Sequence, residues 1–185
     1  MAINLKNNWH LVGLLPLAFG LLSYGITISG FDDPWKLQWT SWGLLLWTCP
    51  LTAVATGVIL LSLPRNRFAI SAMAAWILTG PLLPALFNAR EMLQFQHFHH
   101  FVSAITLLII LFNWKQIWNT KGFLFGISSF YTFAIITFNL SGGVVNFLEP
   151  FEGIEPPMWH GAIPGALAII IFLWYKLSFK RAKPN

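Results

Sequence analysis

The sequence predicts an all-α integral membrane protein: a bundle of six transmembrane helices forming one domain over residues 1–185, with both termini cytoplasmic. Three observations carry that prediction. Of the 185 residues, 56% are hydrophobic and 9% charged, whereas a soluble surface needs roughly 25% charge. Apolar runs of about 20 residues, long enough to cross a hydrocarbon core of ~30 Å, recur along the chain. The basic residues fall almost entirely on alternate connections between those runs.

The first span runs from about Leu11 to Ser29. It is longer than the apolar region of a signal peptide and no small-residue cleavage site follows it, so it reads as retained. The second covers Trp39 to Leu63, with Pro50 inside, and the third Phe68 to Phe87, with Pro81 and Pro84. The fourth begins near Glu91 and continues to Trp114, the fifth covers Gly122 to Phe147, and the sixth runs from Pro157 to Phe179. Prolines in three of the spans predict kinks, tolerated where neighbouring groups satisfy the freed carbonyls.

Charge sets the orientation. Lys6, Arg65, Arg67, Lys115, Lys121, Lys176, Lys180, Arg181 and Lys183 lie on one side, against Lys36 and Arg90 on the other. The positive-inside rule makes the first side cytoplasmic. Asp32, Asp33, Glu91, Glu149, Glu152 and Glu155 all fall on the opposite side. The membrane is then a bacterial inner membrane or an organellar one. The basic residues form a collar suited to anionic lipid head groups, and no basic patch interleaved with aromatics suggests nucleic acid.

Eight of the ten tryptophans, Trp9, Trp35, Trp39, Trp42, Trp114, Trp118, Trp159 and Trp174, lie near span ends, where an indole suits the interface. The single cysteine, Cys49, reads as a small core residue and can form no internal disulfide. Catalytic signatures of other classes are missing. There is no G-x-S-x-G, no H-E-x-x-H and no C-x-x-C. The Ser141–Gly143 run and the Gly161–Gly165 G-x-x-x-G pattern read as helix packing, and the glutamate-rich loop before the sixth span as solvated. Mid-membrane polar groups are Thr52, Thr56, Thr79, Thr106, Thr132 and Thr137, with no charge, which disfavours a transporter or channel.

The stretch EMLQFQHFHH holds what chemistry the sequence offers. Glu91, Gln94, His97 and His100 recur at a spacing of three, while His99 points elsewhere on the helix. From His97 to Trp114 a helix rises about 27 Å at ~1.5 Å per residue, so the imidazoles sit at the outer boundary of the hydrocarbon. His160, one turn into the sixth span, and the outer acids reach the same level. Imidazole with carboxylate suits copper, iron or zinc. In that reading His97, His100 and His160 are ligands, His99 an optional one, and Glu91 a ligand or an outer hydrogen-bonding partner. Haem between His160 and His97 or His100 fits less well, because His10 stands alone on the far side. The competing reading has the histidines facing head groups, at little cost for an amphipathic ring.

Two functions follow from these residues, and whether the protein is an enzyme stays open between them. One is a small polytopic membrane protein with an outer-face transition-metal site serving oxidoreductase chemistry or metal handling. The other is a noncatalytic structural or assembly subunit of a larger membrane complex, respiratory, photosynthetic or similar. Its 17 phenylalanines and 10 tryptophans would pack against partner subunits.

Overall fold

The computed structural model describes residues 8–29, 48–82 and 98–140, all within the first of two compact units, Met1–Phe147 and Leu148–Asn185. The described residues are helical, with no strand among them. The helices are α1 (Trp9–Ser29), α2 (Thr48–Ser62), α3 (Arg67–Thr79), α4 (Phe98–Phe112), the single turn α5 (Trp114–Ile117) and α6 (Thr120–Leu140). One of them, α1, is long and apolar enough to cross a membrane: its first 18 residues have a mean hydropathy of 1.5.

Glycine lets α1 and α2 approach backbone to backbone. A Cβ on Gly13 would stand 2.8 Å from the Gly57 carbonyl, and one on Gly20 would stand 2.9 Å from the Val54 nitrogen. Both are closer than real Cβ atoms come. Residues later in α1 thus meet residues earlier in α2, so the pair is antiparallel. A tight turn then reverses the chain into α3, with Leu63 N donating to Ile59 O at 2.8 Å and Asn66 N to Leu63 O at 3.0 Å. Asn66 caps α3, its Oδ1 accepting from Ala69 N at 3.1 Å.

The helix α3 is the hub, touching α2, α4, α5 and α6. Ile70, Ala74, Ala75, Ile77 and Leu78 on it are buried. Its main partner is α6, which Asn119 caps by accepting from Gly122 N at 2.8 Å. Gly122 lies against the Phe68 carbonyl and Gly126 against that of Ala72, with Ala75 Cβ 2.8 Å from where a Gly126 Cβ would be. One turn further, Trp76 meets Phe130 edge to face at 5.5 Å and donates Nε1–H to Ser129 Oγ at 2.9 Å. Contacts advance together along both chains, so α3 and α6 are parallel. Gly122-x-x-x-Gly126 is the small-residue pattern that permits this.

Two of the predicted spans are interrupted. Within the third, α3 ends at Thr79, because Gly80 precedes Pro81, which disfavours a helical residue before it and has no N–H to donate; Leu82 is helical again, and residues 83–87 lie outside the described residues. Pro81 therefore stands at a two-residue break between α3 and the helical Leu82. The fourth stops at Phe112. Asn113 turns its Nδ2 back to Ile109 O at 2.9 Å, and the chain restarts as α5 at Trp114. Pro16, by contrast, is inside α1. Residues 39–47, 83–97 and 141–185, including Pro84, Phe87 and the whole sixth span, lie outside the described residues.

Two sets of hydrogen bonds orient α4. The Pro81 carbonyl, just beyond α3, meets His100 near the start of α4. At the other end Ser71 donates to Ile117 O at 3.3 Å and accepts from Asn119 N at 2.8 Å. So α4 runs against α3, and hence parallel to α2. The same end collects Arg65, Arg67, Lys115 and Lys121, all exposed.

Candidate functional site

Of the five candidate ligands, His99 and His100 are among the described residues; Glu91, His97 and His160 are outside them. The start of α4 packs among α1, α2 and α3, and both imidazoles are buried there, His99 at 4% and His100 at 5% exposure. Neither ring lies on the exposed surface of the bundle. Although 100° apart on an ideal helix, the rings meet at 4.2 Å between centroids, tilted by 36°.

His100 Nδ1 lies 3.1 Å from Pro81 O. A carbonyl can only accept, so Nδ1 carries the proton of this bond. Metal-bound imidazoles are anchored in this way through their second nitrogen. Pro81 lies two residues beyond the end of α3, and a histidine on the neighbouring helix meets its carbonyl. Among the described residues no three His, Cys, Asp or Glu side chains come together.

From the histidines toward the basic end, two polar rows run along α2 and α4, helices that touch. On α2, Thr48, Thr52 and Thr56 recur every four residues, followed by Leu60. On α4, His99, Ser103 and Thr106 share one face with Ile110. All eight side chains are buried. Thr106 bonds back to Val102 O at 2.8 Å, as Thr79 does to Ala75 O. Thr52, Thr56 and Ser103, each 0% exposed, do neither: their hydroxyl oxygens have no hydrogen-bond partner. A buried hydroxyl left in that state costs about 1–3 kcal/mol, so three on touching helices need an explanation. The Tyr131 hydroxyl is also without a partner, but on α6, away from this contact.

Sequence reasoning placed the two threonines among scattered midplane hydroxyls and passed over Ser103. The i, i+4 step from His99 to Ser103 was the available signal. The tryptophans need correction too. Trp9, Trp114 and Trp118 stand at helix ends as expected, but they are buried in the bundle instead of lying in an outer belt. Trp118 stacks at 4.7 Å on Phe123 and donates to Thr120 Oγ1 at 3.2 Å. Trp35, Trp39, Trp42, Trp159 and Trp174 are outside the described residues.

No known protein family matches the chain, and neither a characterised protein nor a solved structure is detectably similar to it.

Proposed function

We propose that this is a polytopic helical membrane protein whose non-cytoplasmic end holds a transition-metal site. His97, His99, His100 and His160 are its ligands, with Glu91 as a further ligand or a hydrogen-bonding partner. The observation that carries the reading is the buried His99–His100 pair, with His100 anchored through Nδ1 on Pro81 O. The membrane part rests on α1 and on the exterior of the bundle. Leu11, Leu14, Leu15 and Leu21 on α1, Ile105, Leu108 and Phe112 on α4, and Leu124, Phe125, Ile135 and Ile136 on α6 are all exposed. So continuous an apolar exterior suits lipid and not water. The four exposed cations at one end support a cytoplasmic assignment for that end, and the histidine end then faces outward.

A copper, iron or zinc ion bound there would supply Lewis-acid or redox capacity. The chain's own contribution is to hold the His100 tautomer and to exclude bulk water from both rings. The test is the metal content of gently purified protein beside that of a His99→Gln/His100→Gln variant and a His97→Ala/His160→Ala variant. Stoichiometric metal that is lost in folded variants is the expected result. Metal-free wild type, or metal retained by both variants, would end the proposal.

A second reading, a noncatalytic subunit of a larger membrane complex, is favoured by the same Pro81 bond seen differently. A histidine bonded to a buried carbonyl is already useful as a core residue. In that case the exposed Phe68, Phe98, Phe112 and Phe125 are the surface on which partners pack. Metal-free wild type recovered in a larger assembly would favour it.

A further inference from the structure

We infer that the α3–α6 contact carries, at its basic end, a binding site for one anionic phospholipid, with the head group on Arg67 and Lys121 and the acyl chains over Phe68 and Phe125. Arg67 and Lys121 stand in the first turns of α3 and α6. The two helices are parallel, and these turns touch. A Cβ on Gly122 would stand 2.8 Å from Phe68 Cα, and Gly122 and Phe68 directly follow Lys121 and Arg67 in the chain. Asn119 N, donating to Ser71 Oγ at 2.8 Å, ties the residue before α6 to α3 one turn on from Arg67. Both cations are exposed, as is Arg65 in the turn that leads into α3. Residues far apart in sequence are thus held side by side by the fold.

The charge of the site narrows the ligand. No Asp or Glu occurs among the described residues, so none of them neutralises the pair. The positive ends of two parallel helix dipoles add to the field. A zwitterionic head group would bring its own cation into that field, whereas a phosphodiester with an uncharged alcohol brings only negative charge. Phosphate also matches the donors: a guanidinium forks onto its oxygens and an ammonium adds a point charge.

The neighbouring aromatics make the ligand a lipid and not a free phosphate. Phe68 and Phe125 stack at 5.4 Å, tilted by 39°, yet remain 40% and 56% exposed. Phe125 follows Lys121 by one turn on the same face of α6, and Leu124 beside it is exposed. Paired cations with open rings one turn further into the bundle repeat the order of a phospholipid, charge first and hydrocarbon after. The inference rests on the membrane part of the reading above and not on its metal site. It differs from a diffuse basic collar in being saturable and in depending on two named cations.

The test is lipid binding to purified full-length protein in a non-ionic detergent, read as one-to-one adducts by native mass spectrometry. Dioleoyl phosphatidylglycerol and dioleoyl phosphatidylcholine are offered in equal amounts. We expect a preference for the glycerol lipid that saturates at one per chain, and that falls about fivefold on Arg67→Gln and again on Lys121→Gln. A Lys180→Gln/Arg181→Gln variant, which removes the same charge from the C-terminal tail, keeps the preference. An equal loss in that variant, or no preference in the wild type, overturns the site. Displacement of the lipid by an equal concentration of glycerol 3-phosphate would make the ligand a free phosphate and overturns it as well. Carbonate washing of membranes tests the membrane reading separately. A chain released by carbonate overturns both, whereas a chain retained without lipid preference overturns this inference alone.

Discussion

Thr56 and Thr79 are the same side chain, both buried in helix interiors, in two different states. Thr79 donates to Ala75 O and is satisfied locally; Thr56 is not. Removing the Thr79 hydroxyl as Thr79→Val strands nothing, because Ala75 O keeps its helical bond, and the cost stays below about 1 kcal/mol in a denaturation curve. His100 is different. His100→Ala leaves Pro81 O without its partner and opens a ring-sized void, for an expected loss of about 2–4 kcal/mol. A loss no greater than that of Thr79→Val would show the Nδ1–carbonyl bond to be incidental. At Trp76, replacement by phenylalanine keeps the edge-to-face packing on Phe130 but loses the bond to Ser129, and should cost about 1 kcal/mol.

At the scale of elements, glycine decides which helices touch. Gly126→Val would drive a branched side chain into the Ala72 carbonyl and Ala75, separating α3 from α6. We expect a loss of about 1–3 kcal/mol, or no folded protein. Gly25 on α1 has nothing within 4 Å of its would-be Cβ. Gly25→Ala should therefore be neutral or stabilise by up to about 1 kcal/mol, through helix propensity alone. If the two variants melted alike, close approach would not be what holds α3 on α6. The helices themselves were legible: α1, α2, α3, α4 and α6 all fall within or beside apolar runs. Their ends were less so. Pro81 reads from sequence as a tolerated kink, and the structure ends α3 two residues before it and has Leu82 helical again after it. Asn113 gives no sequence signal of a break, because its effect comes from turning its side chain back to Ile109 O.

For the whole molecule, the hydrogen bonds of Ser71 to Ile117 and Asn119 bring the α2–α3 turn and the α5 region to one end. Arg65 and Lys121 must then share a side of any membrane the bundle crosses. Arg65→Cys and Lys121→Cys, in a Cys49→Ser background, should be labelled by an impermeant maleimide in inverted vesicles and spared in intact cells. Labelling of one from each side would contradict their shared end of the bundle. Labelling of both from outside would keep the bundle and reverse its orientation.

Composition and hydropathy by themselves determined the helical class and the approximate position of each apolar helix, because burial of apolar runs and backbone hydrogen bonding are local demands. Alternation of charge likewise foresaw that Arg65, Arg67, Lys115 and Lys121 share one end. The histidine cluster was visible as a concentration of imidazole, yet its state was not. Whether His99 and His100 face head groups or the bundle depends on what α1, α2 and α3 place around them, and that is set by distant glycines. The silent hydroxyls show the same division. Thr52, Thr56 and Ser103 look in sequence like any hydroxyl that bonds to its own helix. Only packing among neighbouring helices buries the three without that bond, because burial between helices is a tertiary demand that no local pattern encodes.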